Sequence, residues 1–130
     1  MGSKPARRVQ REVAMPARPE RVWAALTEGS ELSTWFGGRV AIEARPGGAM
    51  TITWPDGTER LATVEEATPP SRLAFRWAPF ERTPGGEARP APVSRVEIEL
   101  RARDGGSILT VVEAPLGGSR ASALARARSR

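Results

Sequence analysis

Residues 93–114 read VSRVEIELRARDGGSILTVVEA, and they decide the fold because they contain two strands and the turn between them. In the first half, apolar Val96, Ile98 and Leu100 alternate with charged residues, which is typical of a strand with one buried face. The segment RDGGS then turns the chain, and ILTVVEA returns it. The stretch therefore predicts an antiparallel hairpin with one face in the core and the other in water.

The same alternation occurs in segments upstream of this hairpin. RVAIEA, AMTITW, ERLATVEEA and RLAFRW each predict a strand, and RRVQREVAM near the N-terminus predicts another over residues 7–14. Residues 78–92, APFERTPGGEARPAP, contain four prolines and two glycines without any period, so we expect a mobile loop there.

Two short segments between the first and second strands have helical spacing instead. PERVWAALTEG begins with a proline, a favoured first helical residue, and places its apolar residues on one stripe before Gly29. ELSTWF repeats that spacing before two glycines. The chain thus predicts a single α+β domain over residues 1–130, with one antiparallel sheet of about six to seven strands and two short helices after the first strand.

Composition excludes several kinds of chemistry. The 130 residues include no cysteine, histidine or tyrosine, which leaves carboxylates, arginines and Lys4 as titratable groups. We therefore predict no metal site, no cofactor and no enzyme built on an imidazole base or a thiolate nucleophile. No apolar run approaches the ~18 residues of a membrane span, so no span is predicted and a cytoplasmic location is expected.

The net charge of +5 is concentrated at the two ends of the chain, and the body between them is mildly acidic. Basic termini can contact phosphates without sequence preference. No nucleic-acid recognition motif is present, however, so the sequence does not favour a nucleic-acid partner.

Four segments between residues 8 and 114 occur in an order that resembles a known family. They are ARPERVWAALTEGSELSTWF, EARPGG, VEEATPPSRLAFRW and RVEIELRARDGGSILTVVEA, and they are similar to the activator-of-heat-shock-ATPase homologue branch of the START/SRPBCC superfamily. The resemblance implies a helix-grip fold, in which a curved sheet grips a long C-terminal helix with a cavity between them. Here the tail SRASALARARSR is short, so we expect only a helical stub at 119–130, with 1–6 and 119–130 weakly ordered.

The resemblance also implies which residues line the cavity. By position, the candidates are apolar residues of the two helices and the middle strands: Trp23, Trp35, Phe36, Met50, Ile52, Trp54, Phe75 and Trp77. Simple core packing is the competing interpretation of each, because core and pocket lining overlap in this fold.

Paired acids are the remaining candidates for chemistry. Neighbours Glu65 and Glu66 are predicted to point to opposite faces of their strand, while Glu97 and Glu99 share one face, the wet one. If Glu65 pointed inward, it would be a candidate ligand anchor or base.

Three functions remain open. The first is a non-catalytic module that binds an apolar small molecule or lipid in a groove between sheet and helices. The second is a co-chaperone-like or interaction domain, linked by the family to the stress response, whose apolar sheet face is covered by a chaperone or a second copy. The third is an enzyme of the cyclase or aromatase type found elsewhere in the superfamily.

Overall fold

The computed structural model describes residues 8–116, which form two helices and eight strands. In chain order these are β1 Val9–Met15, α1 Pro19–Glu28, α2 Ser30–Phe36, β2 Arg39–Ile42, β3 Ala49–Thr53, β4 Glu59–Thr68, β5 Arg72–Arg82, β6 Ala88–Pro90, β7 Ser94–Arg103 and β8 Gly106–Pro115. The predicted helices and the predicted hairpin of β7 and β8 are confirmed.

All eight strands belong to one antiparallel sheet that curls into a half-barrel. The main order is β1-β8-β7-β5-β4-β3-β2, and the short β6 pairs with β5 beside this path. Strands β1 and β8 come from opposite ends of the described chain and pair along the whole of β1. The α+β fold class is confirmed, with one strand more than predicted.

The core fills the inner face of the curl, where the alternating apolar residues point. In the centre of the sheet, inward residues of β5 such as Phe75 lie beside those of β7 such as Val96, directly opposite in register. The helices cover part of this face with the buried side chains of Val22, Leu26 and Leu32. Burying these apolar surfaces contributes most of the folding free energy.

Gly29 makes the bend between α1 and α2 possible. Its φ is +90°, and a Cβ at this position would lie 2.5 Å from the carbonyl oxygen of Val40 in β2. Ser33 reinforces the junction, because its hydroxyl donates to the Gly29 carbonyl at 2.6 Å and accepts from the Val40 N–H at 3.0 Å. The second helix is thereby held close to the edge strand β2.

The outer face carries a network of ion pairs, and one sequence prediction is wrong there. The register of β4 against β5 shifts between Val64 and Glu66, so Glu65 is extra in the strand and the alternation breaks. Glu65 contacts Arg76 and Arg95, and Glu66 contacts Arg72, all on the outer face. The two carboxylates therefore share a face, contrary to the prediction.

The acids of β7 are where the alternation predicts them. Glu97 and Glu99 both approach Arg72 on the wet side of the sheet, and Glu97 also bonds Arg95. Side-chain bonds from Arg95 and Arg76 hold the pKa of Glu65 below its usual value. The pKa of Arg95 is raised, mainly by its bond to Glu65.

The prediction of a mobile loop over residues 78–92 is also wrong in part. Strand β5 continues to Arg82 and pairs with β6, so most of this segment is a hairpin closed by a turn at Gly86. Pro90 is tolerated because β6 is a short strand at an edge, where a missing N–H costs little. The predicted stub at 119–130 and the N-terminal residues 1–6 lie outside the described residues.

Candidate functional site

A groove of about 230 Å³ lies between α2 and the inner face of β1 and β8. Most of its surface is apolar, with two charged side chains at the strand side. Its lining residues are Val9, Arg11, Val13, Trp35, Phe36, Val111 and Glu113.

Strand register brings the sheet side of this groove together. Val9 lies opposite Glu113, and Arg11 lies opposite Val111 in the antiparallel pair of β1 and β8. Residues two apart in a strand point to the same face, so alternate residues of both strands face the groove. Val9 is 52% exposed, which shows that the groove is open at this end among the described residues.

The helix side is built by the last turn of α2. Phe36 meets Trp77 edge to face, with 5.7 Å between ring centroids, and Trp77 meets Phe75 in the same way at 5.4 Å. The Trp54 indole N–H donates to the Phe36 carbonyl at 2.8 Å. That bond satisfies one of the carbonyls that a helix C-terminus leaves without a partner. The aromatic wall of the groove, formed by Trp35 and Phe36, is thus held against strands of the core through Phe36.

Glu113 is the acidic member of the groove and is half-buried. Its Oε2 accepts a 2.5 Å hydrogen bond from the hydroxyl of Ser94 on the neighbouring strand. Within residues 8–116, its carboxylate has no other side-chain hydrogen bond and no cation within 4.0 Å. Among these residues, one carboxylate oxygen therefore has no side-chain donor.

Arg60 lies on β4, next to the aromatic cluster. Its guanidinium carbon is 5.0 Å from the centre of the Trp77 ring, within cation–π range. Its Nη2 donates to the carbonyls of Ala78 at 3.3 Å and Pro92 at 2.5 Å, which ties β4 to the start and end of the β5–β6 hairpin. Its Nε is buried and finds no hydrogen-bond partner among the described residues.

Burial and nearby negative charges have opposite effects on Arg60. Burial lowers its pKa, while the negative charges of Glu81 and Glu113 oppose that shift. An arginine stays protonated at any physiological pH even so. A permanent positive charge therefore acts on Glu113 across the inner face of the sheet.

The residues predicted to line a cavity occupy three different positions. Trp35 and Phe36 line the groove. Trp77, Met50, Ile52 and Phe75 are buried in the core, the last two without any exposed surface. Half-buried Trp23 and Trp54 pack against that core. Their role in binding stays a prediction.

Sequence reasoning missed the polar members of the site, Arg11, Arg60 and Glu113. A signal for two of them was present in the alternation. Arg11 stands between Val9 and Val13, and Glu113 follows Leu109 and Val111, each at a strand position whose partners are apolar. A charged residue at an inward-facing strand position indicates a polar contact inside a groove.

The other surface pockets are less suited to binding an apolar ligand. Spaces of about 410 to 550 Å³ surround the β7–β8 turn near Gly105, but they are open to solvent and lined mostly by turn residues and short or charged side chains. No cluster of three metal-ligating side chains occurs within residues 8–116. Neither described helix is long and apolar enough to cross a bilayer.

A curled antiparallel sheet with two short helices on its inner face defines an α+β domain of the helix-grip, START/SRPBCC type. The family model described as "Activator of Hsp90 ATPase homolog 1-like protein" matches residues 16–128. The chain belongs to this family. No curated protein sequence gives a significant match.

Several solved structures share the fold. MLL2253 from Mesorhizobium loti is 21% identical with a TM-score of 0.69, over 85% of this chain and 77% of that one. CalU16 from Micromonospora echinospora is 24% identical with a TM-score of 0.60, over 85% and 61%. DynU16, a protein of the dynemicin biosynthetic locus, is 25% identical with a TM-score of 0.65, over 92% and 42%. The chain thus spans under two thirds of CalU16 and under half of DynU16.

Proposed function

We propose that this protein is a non-catalytic module that binds an apolar small molecule or lipid segment in the groove between α2 and strands β1 and β8. The observation that carries the proposal is the groove itself, in which two aromatic rings face three valines. Ligand pockets are concave and mainly apolar, with few polar groups. Membership of a helix-grip family supports the same conclusion.

The groove sets an approximate size for its ligand. Its volume of about 230 Å³ is below the ~300–1,000 Å³ typical of drug-sized sites. A ligand of one or two rings, or a short alkyl chain, fits this space. A larger molecule would extend past Val9 into solvent.

Titration with the neutral fluorophore N-phenyl-1-naphthylamine tests the proposal, with two of its three rings in the groove and the third extending past Val9. Saturable enhancement of its emission is expected for the native protein. Val111→Gln should weaken binding roughly tenfold, because it puts an amide into the apolar wall. Val112→Gln is the matched control, since Val112 is the next residue of β8, is also half-buried and faces the outer side. If fluorophore binding does not saturate, or if both variants lose affinity equally, the groove is not the binding site.

A binding role fits the available groups better than catalysis. Glu65, the candidate base, lies on the outer face and is paired with Arg76 and Arg95. The sequence offers no histidine or cysteine to replace it. DynU16 belongs to a biosynthetic locus, so an enzyme of the cyclase or aromatase type is the rival, and turnover would have to come from the groove carboxylate.

A protein partner over the groove is the second candidate. The exposed Val9, on the edge strand β1, favours it, because an edge strand offers unpaired backbone groups beside an apolar side chain. Sedimentation velocity at rising protein concentration distinguishes self-association from a monomer. Chaperone binding and a stress-response role remain predictions from the family resemblance, and a cytoplasmic location remains a prediction from the absence of a long apolar run in the sequence.

A further inference from the structure

The position of Glu113 bears on which molecules the groove accepts. Its side chain lies on the inner face, in register with Val9 and Val96, where the surrounding positions are apolar. A half-buried carboxylate loses water contacts and needs donors in their place. The described residues supply one such donor, Ser94, to Oε2. Within residues 8–116, Oε1 has no side-chain hydrogen-bond donor and can accept from a ligand.

The charges around Glu113 restrict that donor further. Arg11 lines the same groove, two positions along the paired strand, and makes no ion pair within residues 8–116. The acid-free segments 1–7 and 117–130 offer it no Asp or Glu side chain either. Arg60 adds a second positive charge on the inner face. A charged ligand of either sign therefore meets at least one like charge beside the groove, which a neutral ligand does not.

We propose that Glu113 is the specificity-determining residue of the groove and selects neutral apolar molecules that carry a hydroxyl, which donates its hydrogen bond to Oε1. This inference rests on the proposed function, because it assigns the chemistry of the same groove. Ser94 holds the carboxylate in place through Oε2, and the aromatic residues Trp35 and Phe36 contact the apolar body of the ligand. Hydrogen bonds to an ionised acceptor are about twice as strong as neutral ones, so the hydroxyl decides the affinity.

Four probes with the same apolar body test this assignment at pH 7: 4-propylphenol, propylbenzene, 4-propylbenzoate and 4-propylbenzylammonium. Dissociation constants come from backbone amide shifts of the full chain in two-dimensional NMR. The phenol is expected to bind at least about tenfold more tightly than propylbenzene and more tightly than either ion.

Variants then assign the preference to one carboxylate. In Glu113→Val the ratio of phenol to propylbenzene affinity should fall to about one, while propylbenzene still binds. Glu113→Gln should give an intermediate ratio, because an amide oxygen is a weaker acceptor than a carboxylate oxygen. This variant replaces Glu113→Val in the test if the valine variant does not fold. Glu12→Val is the matched control, since Glu12 lies on the neighbouring edge strand β1 and pairs with Arg101 on the outer face at 3.5 Å. It should keep the native ratio.

The outcomes separate this inference from the proposed function. Equal binding of the phenol and propylbenzene would overturn the role of Glu113 and leave the apolar groove intact. A preference that survives in both Glu113 variants, or tightest binding of either ion, would overturn it as well. If none of the four probes shifts residues of the groove, both the inference and the proposed function fail.

Discussion

Replacing Trp54 by phenylalanine tests what holds the aromatic wall of the groove in place. The substitution keeps an aromatic ring but removes the indole N–H that donates to the Phe36 carbonyl at 2.8 Å. The lost hydrogen bond contributes about 1 kcal/mol. The carbonyl left without a partner at the end of α2 costs up to about 1 kcal/mol more, and the smaller ring costs about 1 kcal/mol. We expect the free energy of unfolding to fall by about 2–3 kcal/mol.

Urea unfolding followed by circular dichroism measures this loss. For a chain of this length it corresponds to a melting temperature lower by on the order of 10 °C. Trp23→Phe is the matched control, because Trp23 is also half-buried and its indole makes no hydrogen bond within residues 8–116. That variant loses only ring area and should cost about 1 kcal/mol.

Binding gives a second measurement of the same bond. Because Phe36 and Trp35 line the groove at the end of α2, loosening that end should weaken N-phenyl-1-naphthylamine binding in Trp54→Phe more than in Trp23→Phe. Equal stability losses in the two variants would refute the reasoning, since the hydrogen bond would then contribute nothing beyond ring packing.

Two further predictions concern other parts of the sheet. Gly106→Ala should destabilise the fold by about 2 kcal/mol or more, because the new Cβ would lie 2.4 Å from the Met15 carbonyl oxygen. Gly85→Ala, with its nearest neighbour atom at 3.9 Å, should stay within about 0.5 kcal/mol in the same urea assay. The hydrogen bonds from Arg95 and Arg76 lower the pKa of Glu65. They therefore stabilise the fold at pH values above the ordinary pKa of a glutamate, and this stabilisation is lost as the pH falls through the lowered pKa. Glu65→Gln should therefore lower stability by about 1 kcal/mol at pH 7, and the difference from the native chain should shrink towards pH 3 in urea unfolding, whereas a difference independent of pH would contradict this assignment.

Much of the architecture was predictable because its elements repeat with simple periods. Alternation over β7 and β8 identified the hairpin, and the change to helical spacing identified α1 and α2. The extension of β5 and the strand β6 were not predictable, because prolines and glycines in residues 78–92 hide a hairpin whose pairing lies at the edge of the sheet. The bulge at Glu65 was hidden for a related reason, since one extra residue in a ladder leaves no mark in the local sequence.

The site was predictable only in part. Trp35, Phe36, Met50 and Ile52 were all chosen by position from the family resemblance. Trp35 and Phe36 line the groove, whereas Met50 and Ile52 are fully within the core, because alternation tells which side a residue faces but not how deeply it is covered. The alternation of β8 gives Glu113 an inward position, but the groove beside it required the pairing of β8 with β1, which only the fold provides.

The pairing of β1 with β8 makes the proposed binding groove depend on contacts between the most distant parts of the described chain. Its two strands come from opposite ends of residues 8–116, so the groove is complete only once β1 and β8 have paired. Contacts so distant in sequence form slowly, because loop closure costs entropy before the contact repays it. Stopped-flow refolding should show fluorophore binding no earlier than the recovery of the full sheet signal. A chain interrupted before β8 would therefore lack the strand side of the proposed groove.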